Sequence, residues 1–207
     1  MTDIRLSLAV EAGVFAVPET GTILVLRPHA GADLSALPKE RVRIVQGFRP
    51  DYDAFAAAGY AVSPEPESRH DAAIVVLPRA RVEGRALIAA AVASLPVGAP
   101  VAIDGARTDG IEGILRELRG RVTVGEVISK AHGKIFAFAA PETSVFADWQ
   151  AQPTVLADGS VTLPGIFSAD GPDPGSELLA ASLPEKLSGF GADLGAGWGY
   201  LARAVLT

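Results

Sequence analysis

The fold class of this chain is decided by residues 71–95, DAAIVVLPRARVEGRALIAAAVASL. The first part, Asp71–Leu77, is an unbroken apolar run, which is typical of a strand buried on both faces of a sheet. Pro78 ends that run, and apolar residues then recur at near-helical spacing over Arg81–Leu95. A strand followed directly by an amphipathic helix predicts one crossover unit of a parallel sheet.

The same alternation of strand and helix patterns continues on both sides of this unit. The further predicted elements are strands at Thr22–Leu26, Arg41–Gln46 and Pro100–Asp104, helices at Asp51–Tyr60 and Asp109–Leu118, and two closing strands, Val122–Ser129 and Lys134–Ala139, around the turn Ala131-His132-Gly133. We therefore predict one α/β domain over residues 1–148, with a mainly parallel sheet and flanking helices.

The composition changes after residue 148. Residues 153–163, PTVLADGSVTL, are two short β runs around Asp158-Gly159, a dipeptide typical of a hairpin turn. Ser176 is expected to cap a helix that runs from Glu177 to about Leu183, and another helix is expected from Tyr200. Residues 149–207 are therefore predicted to be a β-hairpin followed by the incomplete start of a second α/β domain.

Composition excludes several classes of protein. A chain of 207 residues with 49% hydrophobic and 20% charged residues can bury a core, so disorder of the whole chain is excluded. Cysteine is absent, which excludes disulfides, thiolate catalysis and cysteine-ligated zinc. The sequence shows no signal peptide and no apolar run long enough to span a membrane. We therefore expect a cytoplasmic protein without a membrane partner.

The charge distribution allows two interpretations. The net charge of −6 argues against a long nucleic-acid footprint, because phosphate contacts come from Lys and Arg. Arginines nevertheless cluster in two places, one formed by Arg79, Arg81 and Arg85 and the other by Arg116, Arg119 and Arg121. These clusters are either a small basic face that suits a structured RNA or the solvated faces of helices.

Other common chemistry has no support in the sequence. His29, His70 and His132 lie far apart without metal-ligand spacing, so we expect surface or turn histidines and no metal site. No G-x-S-x-G nucleophile motif occurs. Gly133-Lys134 is followed by Ile135, which excludes a phosphate-binding P-loop there.

A glycine-rich loop near the end of the sequence is the most informative segment for function. In residues 192–201, ADLGAGWGYL, Asp193 stands two positions before the first of three alternating glycines, Gly195, Gly197 and Gly199. Glycines let a backbone turn sharply and approach a ligand, and a following helix presents unpaired N–H groups. A dinucleotide loop needs its third glycine at position 200, which is Tyr200 here. The alternative is an ordinary turn into a helix.

The pattern D-x-G-x-G-x-G is similar to motif I of class I S-adenosylmethionine-dependent methyltransferases. This resemblance implies that Gly195 and Gly197 approach S-adenosylmethionine, that Gly199 belongs to the same cofactor loop, and that Asp193 helps to organise the loop near the methionine end. Trp198, inside the loop, would shield the cofactor or pack against the hairpin.

Upstream residues carry a narrower resemblance. Phe167, Asp173, Gly175 and Ser176 match the segment before motif I in the small-subunit (16S) rRNA guanine-N2 methyltransferases, which implies that they line the cofactor pocket. The residues alone are equally compatible with a loop and a helix cap. Residues 1–148 also resemble the front domain of that family, a methyltransferase-like (Rossmann-like) sheet that lacks a cofactor site. The resemblance thus implies that residues 149–207 begin a second Rossmann-like, catalytic domain.

For the complete protein, the resemblance implies methyl transfer from S-adenosylmethionine to the exocyclic amine of guanine in small-subunit rRNA. The partner would be ribosomal RNA or the small ribosomal subunit. The family's Asn-Pro-Pro-aromatic motif does not occur in the 207 residues. The position of the ribose-binding acid, about 20 residues past such a loop, falls beyond residue 207. We therefore expect no catalytic residue in this chain, weak or no cofactor binding by it, and no methyl transfer by it alone.

Two alternative functions stay open at this point. One is a non-catalytic module that binds RNA or protein, and the other is a class I methyltransferase with a small-molecule or protein substrate. Residues encoded past Thr207 would distinguish them, because Asn-Pro-Pro-Phe or Asn-Pro-Pro-Tyr there would favour a guanine or related amine. The sequence leaves the oligomeric state undetermined.

Overall fold

The computed structural model describes residues 4–66, 69–184 and 187–206. They belong to two compact units, residues 1–150 and residues 151–207. The first unit contains the α/β sheet, and the second contains the hairpin and the glycine-rich loop.

The first unit is built from helices and strands in alternation. Its helices are α1 Arg5–Glu11, α2 Arg49–Ala57, α3 Arg81–Ala93 and α4 Ile111–Arg119, and its strands are β1 Ile23–Leu26, β2 Val42–Val45, β3 Ala61–Ser63, β4 Ala72–Val76, β5 Pro100–Ala106, β6 Val127–Lys130 and β7 Gly133–Ala139. Short 3-10 helices lie at Lys39–Arg41, Arg107–Asp109 and Thr143–Trp149.

The seven strands form one sheet in the order β3-β2-β1-β4-β5-β7-β6. Strands β1 to β5 are parallel, and β7 runs antiparallel to both β5 and β6. This order is the doubly wound order 3-2-1-4-5-6 with an antiparallel strand inserted before the last. The prediction of a mainly parallel, Rossmann-like sheet is therefore confirmed. Strand order reverses between β1 and β4, which is where such sheets bind ligands.

Alternating side chains of the strands pack into two apolar layers, one on each face of the sheet. In β1, Leu24 and Leu26 pack into the layer that contains α3 and α4, whereas Ile23 and Val25 pack into the layer that contains α1 and Phe55 of α2. All four β1 residues are buried. Burial on both faces explains why the central strands are continuous apolar runs.

The structure corrects several predicted boundaries. Helix α1 and the edge strand β3 were not predicted, because α1 has only seven residues and β3 has only three residues with an exposed or half-exposed pattern. Strand β6 begins at Val127 rather than Val122. Helix α4 begins at Ile111 rather than Asp109, because Gly110 before it has a left-handed φ of 77°.

The second unit contains the predicted hairpin, which is confirmed. Strands β8 Thr154–Val155 and β9 Val161–Thr162 pair antiparallel around the Asp158-Gly159 turn. Helix α5 spans Pro174–Ser182, and helix α6 spans Tyr200–Leu206. The predicted cap of α5 is wrong, because the capping residue is Asp173 and not Ser176.

Within the described part of the chain, no helix combines the length and the apolar character needed to cross a membrane.

Candidate functional site

The three glycines of the loop share a left-handed backbone conformation. Their φ angles are 79° at Gly195, 58° at Gly197 and 90° at Gly199, where side chains with a Cβ are rarely found. A Cβ built at any of the three would have no atom of the described residues within 4 Å. The backbone conformation, rather than crowding, therefore requires glycine. The open space beside this backbone fits the close approach of a ligand.

A short turn holds the loop in this shape. The Gly199 N–H donates to the Ala196 carbonyl at 2.8 Å, and the Arg203 N–H donates to the Gly199 carbonyl at 2.9 Å as α6 begins. The Asp193 side chain is exposed and, within the described ranges, accepts no hydrogen bond. These backbone hydrogen bonds therefore shape the loop, and the Asp193 side chain is exposed beside it.

Trp198 joins the loop to the segment that precedes α5. Its indole Nε1 donates to the Ser168 carbonyl at 3.1 Å. Its ring meets Tyr200 edge to face, with ring centroids 5.5 Å apart. Two segments that lie about 30 residues apart in sequence, and that the resemblance assigned to one pocket, are thus brought together by a single hydrogen bond.

Phe167 lies at this junction with an open ring. Its residue exposure is 69%, and the next residue, Ser168, has a φ of 55° that turns the chain sharply. The backbone just after Phe167 is also held against the hairpin, because the buried Thr162 hydroxyl donates to the Ala169 carbonyl at 2.6 Å. An exposed aromatic ring on a fixed backbone is suited to stacking against a planar ligand group.

Asp173, Gly175 and Ser176 form the N-terminal cap of α5. The Asp173 carboxylate accepts the Ser176 backbone N–H at 3.0 Å and lies 3.4 Å from its hydroxyl. A Cβ at Gly175 would come within 3.0 Å of the same carboxylate, so glycine makes room for the cap. The helix-cap interpretation thus accounts for the contacts of these three residues.

An ion pair between α6 and the hairpin turn was not predicted from the sequence. Arg203 donates to the Asp158 carboxylate at 3.0 Å and to the Ser160 hydroxyl at 3.1 Å. Hydrogen bonds from the Ser160 N–H and hydroxyl, together with the charge of Arg203, hold the pKa of the Asp158 carboxyl below its ordinary value. The Asp158-Gly159 dipeptide indicated the turn, but no local pattern could reveal its partner in α6.

In the first unit, the protein's own side chains occupy the equivalent ligand edge. Arg27, directly after β1, has a φ of 57° and forms an ion pair with Glu83 in the first turn of α3. Gln46, directly after β2, is buried and donates to the Pro28 carbonyl at 2.8 Å. Its side-chain oxygen accepts the Phe48 N–H at 2.8 Å. No glycine-rich loop follows β1.

The space that remains at this edge is small. A cavity of about 220 Å³ lies between the loop after β1 and the ends of β4 and β5, with Leu6, Ile74 and Asp104 among its lining residues. Ligand pockets usually enclose roughly 300–1,000 Å³. Asp104 is engaged by Arg5 through two hydrogen bonds, at 2.6 and 3.0 Å.

Most of the clustered arginines are paired with acidic side chains of the first unit. Arg81 and Arg85 both pair with Glu117, and Arg79 lies 4.0 Å from Asp109. Arg121 pairs with Asp148 at 2.6 Å. These contacts favour the interpretation as solvated helix faces over that of a free basic face.

The Arg121 pair also has an electrostatic and an aromatic component. The Arg121 guanidinium lies 4.7 Å from the centroid of the Trp149 ring. Trp149 itself is a buried core residue of the first unit. Hydrogen bonds from Arg121 hold the pKa of the Asp148 carboxyl below its ordinary value.

The expectation for His70 is wrong. His70 is buried, and its Nδ1 lies 3.0 Å from the Thr22 hydroxyl, because parallel pairing of β1 and β4 brings the residues before them together. His29 is exposed, 3.6 Å from Asp51, and His132 lies in the β6–β7 turn. Among the described residues, no three His, Cys, Asp or Glu side chains form a group that could hold a metal ion.

Comparison with known proteins places the loop in a recognised domain. The profile of the family "Methyltransferase small domain" matches residues 159–207. Ribosomal RNA small subunit methyltransferase C of Yersinia enterocolitica is 30% identical over 150 residues, which are 70% of this chain and 42% of that protein. The protein of the same name from Idiomarina loihiensis is 28% identical over 199 residues, which are 89% of this chain and 58% of that protein.

The chain spans about half the length of these curated relatives. Among solved structures, the 16S rRNA methyltransferase RsmC of T. thermophilus, in complex with AdoMet and guanosine, superposes with a TM-score of 0.59. That match has 18% identity and covers 86% of this chain and 51% of the other, so it supports the fold. The family profile includes the glycine-rich loop, and the curated relatives align over most of this chain, so the chain is similar to the ribosomal RNA small subunit methyltransferases over the part of their length that it spans.

Proposed function

We propose that residues 151–207 supply one side of an S-adenosylmethionine site. We further propose that the complete protein transfers a methyl group to the exocyclic amine of guanine in small-subunit rRNA. Ribosomal RNA or the small ribosomal subunit would then be the partner, and the cytoplasm the place of action. The observation that carries the proposal is the hydrogen bond from Trp198 to the Ser168 carbonyl, because it brings the glycine-rich loop and the Phe167 segment together.

The residues of the second unit fit a methyl donor in complementary ways. Gly195 and Gly197 leave their backbone open for close approach of the ligand, since nothing described occupies the position of a Cβ. Phe167 offers an exposed ring. The exposed carboxylate of Asp193 is available to accept hydrogen bonds from the cationic amino end of the donor. The cap formed by Asp173 fixes the start of α5 beside these groups.

Methyl transfer to an amine requires mainly that the protein position the two reactants. When bound, S-adenosylmethionine supplies an electrophilic methyl group, and the guanine amine is itself the nucleophile. Holding two reactants in line is worth several kcal/mol of a barrier, so a rigid loop contributes by orientation. The groups that would hold the amine belong to the Asn-Pro-Pro-aromatic motif, which these 207 residues do not contain. We therefore expect no methyl transfer to ribosomal RNA by this chain alone.

We assign the first unit a non-catalytic role. The support for this assignment is the closure of its ligand edge by the Arg27–Glu83 ion pair and by the Gln46 hydrogen bonds. A sheet that keeps its fold but leaves only a small cavity of about 220 Å³ at its switch point is suited to stability or to partner placement.

Photocrosslinking with radiolabelled S-adenosylmethionine tests the cofactor site even when binding is weak. Trypsin cuts after Lys186 and Arg203, so the whole loop is released as the peptide 187–203, while Phe167 and Asp173 fall in the peptide 135–186. We expect label in these two peptides and its loss when S-adenosylhomocysteine competes. Label confined to residues 1–134, or label that a competitor does not displace, would contradict the proposal.

A matched pair of glycine variants makes this test specific. Gly197→Ala places a methyl group on the ligand side of the loop, and Gly159→Ala places one on the hairpin turn. Both glycines have a left-handed φ and open space beside them, so both changes carry the same backbone cost of about 1–2 kcal/mol. We expect crosslinking to fall at least about tenfold, or about 1.4 kcal/mol, for Gly197→Ala only.

A further inference from the structure

A third cluster of basic side chains surrounds the turn between β6 and β7. Arg107, Lys130, His132 and Lys134 line an open cavity of about 440 Å³, and we call this set the hairpin patch. Glu112 is the one acidic residue among the described residues that line the same cavity. On a chain with a net charge of −6, such a local excess of positive charge is unusual.

The hairpin patch differs from the arginine clusters in how its positively charged side chains are paired with acidic ones. Arg107 and Lys130 are exposed, and neither side chain has an acidic partner within the described ranges. Lys134 is shared between Glu112 at 3.4 Å and the Ser129 hydroxyl at 2.9 Å. Arg81 and Arg85 of α3, in contrast, both form ion pairs with Glu117 of α4. The patch therefore keeps charge available for an external anion.

The backbone under the patch is held in an uncommon conformation. Ala131 and His132 both have left-handed φ angles, 48° and 56°, which costs free energy for residues with a Cβ. The Arg5 guanidinium lies 3.3 Å from the Lys130 carbonyl and 3.5 Å from the Ala131 carbonyl, and Asp104 holds that guanidinium. Strained turns that the surrounding structure holds in place are concentrated at functional sites.

The same turn is tied to Arg107, the first residue of the 3-10 helix between β5 and α4. The Arg107 N–H donates to the His132 carbonyl at 2.8 Å, so the Arg107 backbone has a fixed position beside the turn. A patch whose backbone is fixed from two sides loses little entropy when it binds a partner. The side chains of the patch can therefore contact an anion from a backbone that is already held in place.

We propose that the hairpin patch binds the phosphate backbone of RNA. Guanidinium and ammonium groups without internal partners are the groups that contact phosphates, and each contact releases counterions. The choice of RNA over other polyanions rests on the proposed function. The glycine-rich loop and the patch belong to different compact units, so the two proposals can fail separately.

Binding of a fluorescent RNA hairpin to the complete 207-residue chain, followed by anisotropy at several salt concentrations, tests this inference. The test variant is Arg107→Gln/Lys130→Gln. The control variant, Arg49→Gln/Arg69→Gln, removes the same charge from exposed arginines elsewhere in the first unit. At about 0.1 M salt each phosphate contact is worth roughly five- to tenfold in affinity, so we expect the test variant to bind at least about 25-fold more weakly.

The salt dependence supplies a second readout. Loss of two phosphate contacts lowers the slope of log affinity against log salt by about 1.4–1.8, and we expect the control variant to keep the slope of the unmodified chain. Equal weakening of both variants, or no weakening of either, would overturn the inference. So would equally tight binding of poly-glutamate or of phosphatidylglycerol vesicles, which would indicate an acidic protein or a lipid surface. Crosslinking of S-adenosylmethionine reports on the other unit and shows whether the proposed function survives that result.

Discussion

At the scale of single residues, the buried pair of Arg5 and Asp104 connects α1 to the end of β5. Both side chains are almost inaccessible to solvent, at 6% and 11% exposure, and the guanidinium donates two hydrogen bonds to the carboxylate in a bidentate contact. A Cβ at Gly133 would lie 2.6 Å from the Arg5 guanidinium, so glycine is required at the start of β7 for this pair to form. Nothing in the local pattern of Arg5 indicates burial, because its partner lies 99 positions away.

Replacing Arg5 tests how much this pair stabilises the first unit. Arg5→Met leaves the Asp104 carboxylate buried without its guanidinium, which typically costs about 3–5 kcal/mol. We expect a drop of about 3 kcal/mol in the free energy of unfolding, measured by urea denaturation with far-UV circular dichroism. Arg49→Met, which breaks the exposed pair with Asp53, should lower the free energy of unfolding far less, because solvent screens an exposed ion pair. Equal effects of the two variants would contradict this account.

At the scale of helices and strands, periodicity identified the elements that are buried along most of their length. The predicted strand Asp71–Leu77 contains β4, Ala72–Val76, and the predicted helix Arg81–Leu95 contains α3, Arg81–Ala93. Strand β4 is buried at four of its five residues and α3 buries one face, so the spacing of apolar residues in each reflects its environment. Helix α1 and strand β3 escaped prediction because they are short and their stability comes from tertiary contacts.

The candidate site was predictable in its residue types but not in its contacts. The glycine spacing of the loop and the segment around Phe167 pointed to a shared pocket from sequence alone. The Trp198 hydrogen bond that joins them, and the pair of Arg203 with Asp158, depend on how distant segments pack. The cap of α5 was misassigned because Asp173 and Ser176 are both good capping residues, and backbone geometry decides between them.

Trp198→Phe tests whether the indole hydrogen bond holds the loop. A single hydrogen bond contributes about 1 kcal/mol, so the backbone amides of residues 195–200 should exchange with deuterium about fivefold faster in the variant. Tyr200→Phe is the matched control, because it keeps an aromatic ring against Trp198 and leaves the indole bond intact. Unchanged exchange in Trp198→Phe would show that the bond is not what fixes the loop.

At the scale of the whole molecule, the two units differ at the place where a fold of this kind binds its ligand. In the first unit, Arg27, Glu83 and Gln46 are paired within the protein beside the seven-stranded sheet, and only a cavity of about 220 Å³ remains between the loop after β1 and the ends of β4 and β5. In the second unit, the glycine-rich loop is open and largely exposed, and Phe167 is exposed beside its Trp198 anchor. The complete sheet and the proposed ligand site therefore lie in different parts of this chain, which fits the general rule that function lies in the site and not in the fold.

The two units also differ in how they are stabilised. The first unit buries apolar layers on both faces of its sheet, whereas among the described residues of the second unit only Thr162 is fully buried. Several apolar side chains of the second unit are instead largely exposed, namely Phe190, Leu194, Leu178 and Leu206. Elements with little buried apolar surface open at low free-energy cost, which is consistent with weak cofactor binding by this chain.

The central claim is that the methyl-donor site lies in the second unit and not at the edge of the seven-stranded sheet. Titration of the ¹⁵N-labelled chain with S-adenosylhomocysteine, followed by amide chemical shifts, tests it most directly, because weak binding still moves resonances. We predict shifts at Gly195, Gly197, Gly199 and the segment 167–176, with none at residues 27–30 after β1. Shifts confined to residues 27–30, with an unmoved glycine-rich loop, would contradict the account.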